Sequence, residues 1–317
     1  MTAMDLKCRI CGGAAGERHV ACEMMYGSRE AFGYFECAEC GTLQIEAVPG
    51  DLARYYPSGY YSLDGTLPKQ PSLKRRLAAA WAYSRDGGLA GWLCHALKPN
   101  PEMRLLGELG IAKDDAILDV GCGRGARVAR LRQFGFARAE GIDPHLDQDI
   151  EMHGRKIARR ARLEDVRGLY RLVMFHHSFE HLPDPHAALE AARALLAPDG
   201  RILIRVPTCS SQAWTDYGTD WVQLDPPRHL FLFSRDGFRR LAAAHGLKID
   251  RIDDDSDAFQ FWGSEQYRRG IAMNDPRAHS RKTPLFDAAQ IAAWDAEAKK
   301  LNEAGRGDQF AAVLSRA

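Results

Sequence analysis

The run Ala116-Ile117-Leu118-Asp119-Val120-Gly121-Cys122-Gly123-Arg124-Gly125-Ala126-Arg127-Val128-Ala129-Arg130-Leu131 decides the fold. Its first five residues are apolar apart from Asp119, the pattern of a buried strand. Three glycines, Gly121, Gly123 and Gly125, follow; Val128 and Leu131 then recur at helical spacing. Glycines permit a tight turn and let a ligand approach the backbone closely. A helix that opens there offers free N–H groups to an anion. The next stretch ends in Ala139-Glu140-Gly141-Ile142-Asp143-Pro144, and Asp143 lies 22 residues beyond Gly121. An acidic side chain at that place can take two ribose hydroxyls. A P-loop is excluded, because no Gly-Lys-Ser/Thr follows. The spacing Gly121-x-Gly123-x-x-Ala126 leaves a dinucleotide fold open. Asp119 discriminates: a carboxylate two residues before the first glycine repels a diphosphate and suits an ammonium group.

With its acidic residue, x, G-x-G-x-G pattern, this run resembles motif I of class I S-adenosylmethionine (SAM)-dependent methyltransferases. The resemblance implies a doubly wound, seven-stranded Rossmann-like α/β sheet with SAM as cofactor. It also implies that Asp119, Gly121, Cys122, Gly123, Gly125 and Asp143 line the SAM site. Leu163-Glu164-Asp165-Val166 resembles the acidic loop that meets the adenine amino group, which adds Glu164 and Asp165. A strand Leu172–Phe179 carries His176 and His177 toward its end, where such enzymes hold SAM largely through backbone. Glu180-His181-Leu182-Pro183-Asp184-Pro185, a helix over 187–196, a stop at Pro198-Asp199-Gly200 and a strand over 201–207 resemble a block of many small-molecule methyltransferases. Two positions depart from it: Arg171 stands where an aspartate usually opens the strand, and the turn reads PDG rather than PGG. Arg155–Ala158 reads as the third strand, and the five basic residues within 154–162 suit an edge strand guarded against pairing. A capped helix from Ser234 to Gly246 and strands at 247–252 and 307–314 complete the sheet, with an insertion at 256–306 that is partly helical over 287–301.

Half of the eight cysteines form two C-x2-C pairs, Cys8/Cys11 and Cys37/Cys40, with 25 residues between them. Two such turns supply a closed tetrahedral four-thiolate set, the pattern of a structural zinc site. A strand over 31–36 fits a hairpin between the pairs, and the unpaired Cys22 is expected to pack in the interior. Residues 1–50 carry four basic against seven acidic side chains, net −3. An acidic ribbon is a poor phosphate binder.

Methyl transfer needs in-line attack, so the protein supplies orientation and, where required, a base. Glu180, His181 and His229 are the candidates; His177 reads as a hydrogen-bonded rim group. Asp225-Pro226-Pro227-Arg228-His229 is read as a stiff loop that aims His229 inward. The run Arg228–Ser234 resembles a loop of zinc-knuckle sugar C-methyltransferases, where Y-x-E-H precedes an aromatic and a serine. Only the histidine matches, since Pro226 and Arg228 occupy the tyrosine and glutamate positions. Tyr55–Ser62 is rich in tyrosine, and by the same resemblance Tyr60 and Tyr61 cover the cofactor cleft. Residues 72–98 run from a basic cluster to an apolar helical stretch, split at Gly87-Gly88. This stretch reads as a cap packed over the substrate cleft, with peripheral contact to a membrane surface as the other reading.

Composition sets outer bounds. The chain has 317 residues, 45% hydrophobic and 27% charged, with net charge +1. That length predicts about two domains, and the near-neutral balance argues against a nucleic-acid-gripping protein. The expected organisation is a zinc ribbon (1–50), a tyrosine-rich linker and helical cap (51–100), and a SAM domain (101–317). No apolar run is long enough to span a bilayer, and no secretory signal precedes Cys8, so a cytoplasmic protein is expected. The expected activity is methyl transfer to a small-molecule acceptor such as a sugar nucleotide or glycan precursor. A zinc-ribbon RNA methyltransferase and a SAM-binding protein without turnover are the alternatives. Oligomeric state is not legible.

Overall fold

The computed structural model of the protein describes residues 6–57 and 66–317. Tyr60 and Tyr61, proposed above to cover the cofactor, lie outside the described residues. The chain divides into two compact units. One comprises Met1–Pro57, His176–Arg193 and Leu203–Ala317; the other comprises Ser58–Phe175 and Ala194–Ile202.

In the first unit, β1 (Ala15–Cys22), β2 (Ala31–Cys37) and β3 (Leu43–Ile45) form an antiparallel meander. The strand expected over 31–36 is β2. Cys22 departs from expectation: it is exposed. Strand side chains alternate between faces, and Ala21 takes the buried place beside it, at 1% exposure.

The second unit opens with α1 (Leu73–Ser84), α2 (Gly88–Leu97) and α3 (Pro101–Glu108). Ser72 caps α1 by accepting from the Arg75 N–H, and Asn100 caps α3 ahead of Pro101. The expected break falls between α1 and α2, where Arg85, Gly87 and Gly88 all take left-handed φ. The sheet strands follow: β4 (Ile117–Val120), then α4 (Ala126–Gln133), β5 (Ala139–Ile142), β6 (Ile150–Met152), β7 (Arg155–Arg159) and β8 (Tyr170–His176). β4 pairs in parallel with both β5 and β8, and β5 with β7. β7 is the basic strand, but it is not the edge. β6 pairs antiparallel with it and takes the outer place. The strand predicted at 172–179 runs over Tyr170–His176, and Phe179–His181 is instead a short 3-10 turn.

α5 (Pro185–Ala194) ends two residues earlier than its pattern implied, and Pro198-Asp199-Gly200 lies within β9 (Leu196–Pro207) rather than in a turn. Gly200 makes this path passable: a Cβ there would sit 2.9 Å from the Tyr170 carbonyl oxygen. β9 gives residues to both units, and in the second the strand order is β9-β8-β4-β5-β7-β6.

The first unit resumes with α6 (Gln212–Tyr217), β10 (Phe231–Leu232), α7 (Arg235–Ala244), β11 (Leu247–Asp254), α8 (Phe259–Arg268), α9 (Ala288–Glu303) and β12 (Gln309–Arg316). Ser234 caps α7 as its sequence implied, and α8 and α9 lie in the predicted insertion. The order in this unit is β11-β12-β9, closed by an antiparallel β11–β12 pair. β10 pairs with β3, which gives the small sheet the order β1-β2-β3-β10. The run β7-β5-β4-β8 of the second unit, parallel throughout, is of the Rossmann-like class expected from the glycine run. Among the described residues no helix is long and apolar enough to cross a membrane.

Candidate active site

The second unit holds the glycine loop. β4 is buried throughout, and the chain then turns through Gly121, Gly123 and Gly125 at φ of 73°, 51° and 76°. Only glycine takes such conformations without strain. The Gly121 and Cys122 amides donate to the Ile142 carbonyl at 2.8 and 3.1 Å, which ties the loop to the end of β5. Asp143 follows Ile142 and accepts from the Gly123 amide and the His145 amide, both at 2.9 Å. One bond falls on each carboxylate oxygen, so each keeps a lone pair for a further donor. Cys122 points back into the sheet: a Cβ on Gly141 would come within 2.5 Å of its sulfur. Burial pushes that thiol well up, so it is neutral. Asp119 is 3% exposed. Burial raises its carboxyl to about 7, against the opposing pull of Arg127. Such a carboxylate gains most from a ligand cation. Glu164 and Asp165 sit in an exposed 3-10 turn held by the buried Val166, with Glu164 3.6 Å from Arg162. A cavity of about 350 Å³ opens beside Ala116, at the opposite end of β4 from the glycine loop, and plays no part in this site.

The first unit brings together Glu180, His181 and His229, whose ligand-capable atoms lie within 4.8 Å of one another. Glu180 is fully buried, and among the described residues neither of its oxygens has a hydrogen-bond partner. Burial alone would raise its carboxyl; contact with His177 and the fields of His181 and His229 hold it down to about 2. The histidine tautomers follow from their partners. His181 Nδ1 donates to the Arg228 carbonyl at 2.8 Å, and His229 Nδ1 to the Gln223 carbonyl at 2.7 Å. Neither Nε2 atom is used by these carbonyls. His229 Nε2 is 3.9 Å from Glu180 Oε1 and 3.9 Å from Asp225 Oδ2. Burial, and then His229, lower the His181 pKa, so this ring is neutral near pH 7.

His177 lies beside them. Its φ is +52°, in the left-handed region that few non-glycine residues occupy. The Arg205 guanidinium donates to its Nε2, which puts the proton on Nδ1, 3.5 Å from Glu180 Oε1. His176 is half-buried beside it, with the two ring centroids 5.0 Å apart.

The loop that carries His229 is held by an ionic knot. Arg228 is completely buried and binds Asp225 with Nε and Nη2, at 2.6 to 3.1 Å. Its Nη2 also reaches Glu23 at 2.8 Å and its Nη1 the Tyr55 carbonyl at 3.2 Å. Glu23 in turn accepts the Tyr26 and Ser28 amides at 2.8 and 2.9 Å. The fully buried Tyr34 donates to the His229 carbonyl at 2.8 Å. The peptide bond between Pro226 and Pro227 is cis. No local motif flags Glu23, which lies 205 residues from Arg228. In the tyrosine-rich stretch it is Tyr56 whose hydroxyl lies 3.3 Å from His181 Nδ1.

Cys8, Cys11, Cys37 and Cys40 converge in the same unit, their sulfurs within 4.8 Å of one another. The Ile10 amide and Gln44 Nε2 donate to the Cys8 sulfur at 3.3 and 3.1 Å, and the Glu39 and Cys40 amides to Cys37 at 3.4 Å. The Cys40 contact, with these donors, lowers the Cys8 thiol to about 4. Four sulfurs with N–H donors behind them fit a closed site for a soft four-coordinate ion.

A parallel strand, a left-handed glycine loop and an acid at the end of the next strand define a nucleotide-binding Rossmann-like domain. Residues 70–252, more than half of the chain, match the family described as "Methyltransferase domain". The chain belongs to that family, and its core is a class I SAM-dependent methyltransferase domain. It is similar to the C-methyltransferase NovU of Streptomyces niveus, 30% identical over 158 residues. That match spans 44% of this chain but only 34% of the relative. Among solved structures it is similar to the geranyl diphosphate C-methyltransferase of Streptomyces coelicolor A3(2) (TM-score 0.45, 17% identity, 84% of this chain and 97% of that one). The O-methyltransferase of a trans-AT PKS multienzyme of Brevibacillus brevis gives 0.44 and 15% identity, over 79% and 82%.

Proposed function

We propose that the protein transfers a methyl group from SAM to a small-molecule acceptor, of the sugar-nucleotide or glycan-precursor class, at a carbon or oxygen with a removable proton. The observation that carries this reading is the buried Glu180 carboxylate, to which the described residues give no hydrogen bond, 3.9 Å from His229 Nε2. SAM, when bound, supplies an electrophilic methyl group. His229 takes the proton from the acceptor atom as that atom attacks, and Glu180 stabilises the imidazolium that results. His181, neutral and with its Nε2 lone pair free of the Arg228 carbonyl, accepts from an acceptor hydroxyl. His177 is a positioning residue for Glu180. The partial match to a C-methyltransferase supports carbon as the acceptor atom.

On the cofactor side, Asp119 takes the ammonium group and Asp143 the ribose hydroxyls. Gly121, Cys122, Gly123 and Gly125 contribute backbone, as does His176. Glu164 and Asp165 meet the adenine amino group, and Tyr60 and Tyr61 cover the cofactor. Cys8, Cys11, Cys37 and Cys40 hold a structural zinc ion. That ion fixes the meander whose third strand pairs with β10, directly after His229 and Leu230.

The test is a transfer assay with labelled SAM against nucleotide-sugar, lipid and RNA fractions of a cell extract. Label should enter the nucleotide-sugar or lipid-linked sugar fraction. His229→Ala should lower turnover by about 10²- to 10⁴-fold while SAM affinity stays unchanged. Label entering RNA, or full turnover in the variant, would overturn the assignment.

A further inference from the structure

The helical pair α1–α2 does not resemble a solvated surface. Of the eight large hydrophobic side chains exposed among the described residues, five lie here: Leu73, Leu89, Trp92, Leu93 and Leu97. Leu97 is 88% exposed. On α2 the exposed set falls at i, i+3, i+4 and i+8, one continuous helical stripe. The opposite side meets α1 through Gly91, whose Cβ would lie 2.9 Å from the Asp86 carbonyl oxygen and 3.3 Å from Trp81 Cβ. α2 contains no Lys, Arg, Asp or Glu. A ten-residue helix without a formal charge that turns leucines and a tryptophan outward is built for an apolar partner.

Charge narrows the partner. Residues 67–98 hold six basic side chains against one acid, Asp86, in a chain whose net charge is only +1. Lys74, Arg75 and Arg76 are exposed on the first turn of α1, directly after Leu73. Arg85 and Lys98 are exposed at the two ends of the apolar stripe. A second copy of this chain fits poorly, because a twofold contact sets each patch against itself and would bring these cations together. A surface that is apolar beneath an anionic face matches both features.

We propose that α1–α2 docks the protein on an anionic lipid bilayer, with Leu89, Trp92, Leu93 and Leu97 entering the acyl boundary and Lys74, Arg75 and Arg76 resting among the headgroups. The surface belongs to the second unit alone and does not depend on which acceptor is methylated.

The experiment is co-sedimentation of the full chain with vesicles of phosphatidylcholine alone and of phosphatidylcholine mixed with phosphatidylglycerol. The wild type should partition at least about tenfold more strongly onto the mixed vesicles. The triple variant K74E/R75E/R76E should lose that preference. W92A/L93A should lower binding about tenfold on mixed vesicles, with an unchanged thermal midpoint and unchanged SAM affinity showing that the fold is intact. Absence of partition by the wild type would overturn the proposal. So would a wild-type dimer in analytical ultracentrifugation that W92A/L93A splits, because the face would then be occupied by a second copy. Binding that follows charge but ignores W92A/L93A would also overturn it, and would point to a polyanion.

Discussion

The glycine loop and the histidine cluster are built by opposite means. The glycine loop of the second unit is local: within residues 119–145, backbone amides donate to the Ile142 carbonyl and the Asp143 carboxylate, at 2.8 to 3.1 Å. The histidine cluster of the first unit is assembled from residues near 23, 55, 180 and 228, and side-chain charge holds it. A backbone cradle tolerates side-chain change except where a Cβ would intrude. A buried ionic knot fails when any one member is removed, because the others are left charged and dry.

The largest expected effect therefore lies in the knot. Arg228→Ala leaves Asp225 and Glu23 buried without their cation. It should destabilise the protein by about 3–5 kcal/mol in urea unfolding. A loss below about 1 kcal/mol would show that water or a neighbour satisfies both carboxylates, and the contrast between the regions would collapse.

The loop should respond through sterics. Gly141→Val places branched carbon where the Cys122 sulfur lies, and overpacking of this kind costs about 1–3 kcal/mol. Cys122→Ala in the same chain should recover part of that loss. No recovery would mean that the Cβ of residue 122 and Val128 Cγ2, at 2.6 and 3.1 Å from the added Cβ, set the cost. Asp143→Ala removes the carboxylate that faces the proposed ribose site. It should weaken SAM binding about tenfold, or about 1.4 kcal/mol, by calorimetry.

The same contrast explains what the sequence could reveal. The glycine loop, Asp143, the cap Ser234 and the break at Gly87-Gly88 are written in neighbouring residues, so spacing exposes them. β6 is only three residues long, too short for any periodicity, and its presence moved β7 off the edge. Pro198-Asp199-Gly200 has turn composition, but the close approach allowed at Gly200 carries the chain through as strand. Arg228 looks like a departure from a family motif until Glu23 and Asp225 are seen to neutralise it. Nothing near Glu23 marks it, because its meaning comes from a partner about two hundred residues away. His177 carried a detectable signal only in its backbone, whose left-handed φ no sequence pattern prints.

The gentlest test of the contrast is pH. Burial lifts Asp119 to about 7, from an unfolded value of about 3.9. The folded state therefore binds more protons than the unfolded state between about pH 4 and 7. This group's contribution makes apoprotein stability fall as pH rises through that window, and it levels off above it. Cation binding has the opposite slope, since only the ionised carboxylate attracts an ammonium group. SAM affinity should rise about fivefold between pH 6 and 7, as the ionised fraction grows from about a tenth to a half. Asp119→Asn should bind more weakly and show no such rise. Glu180, held down to about 2 by its histidines, stays ionised across the same range. A slope that survives in Asp119→Asn would have to come from another group, and the ammonium assignment would fall.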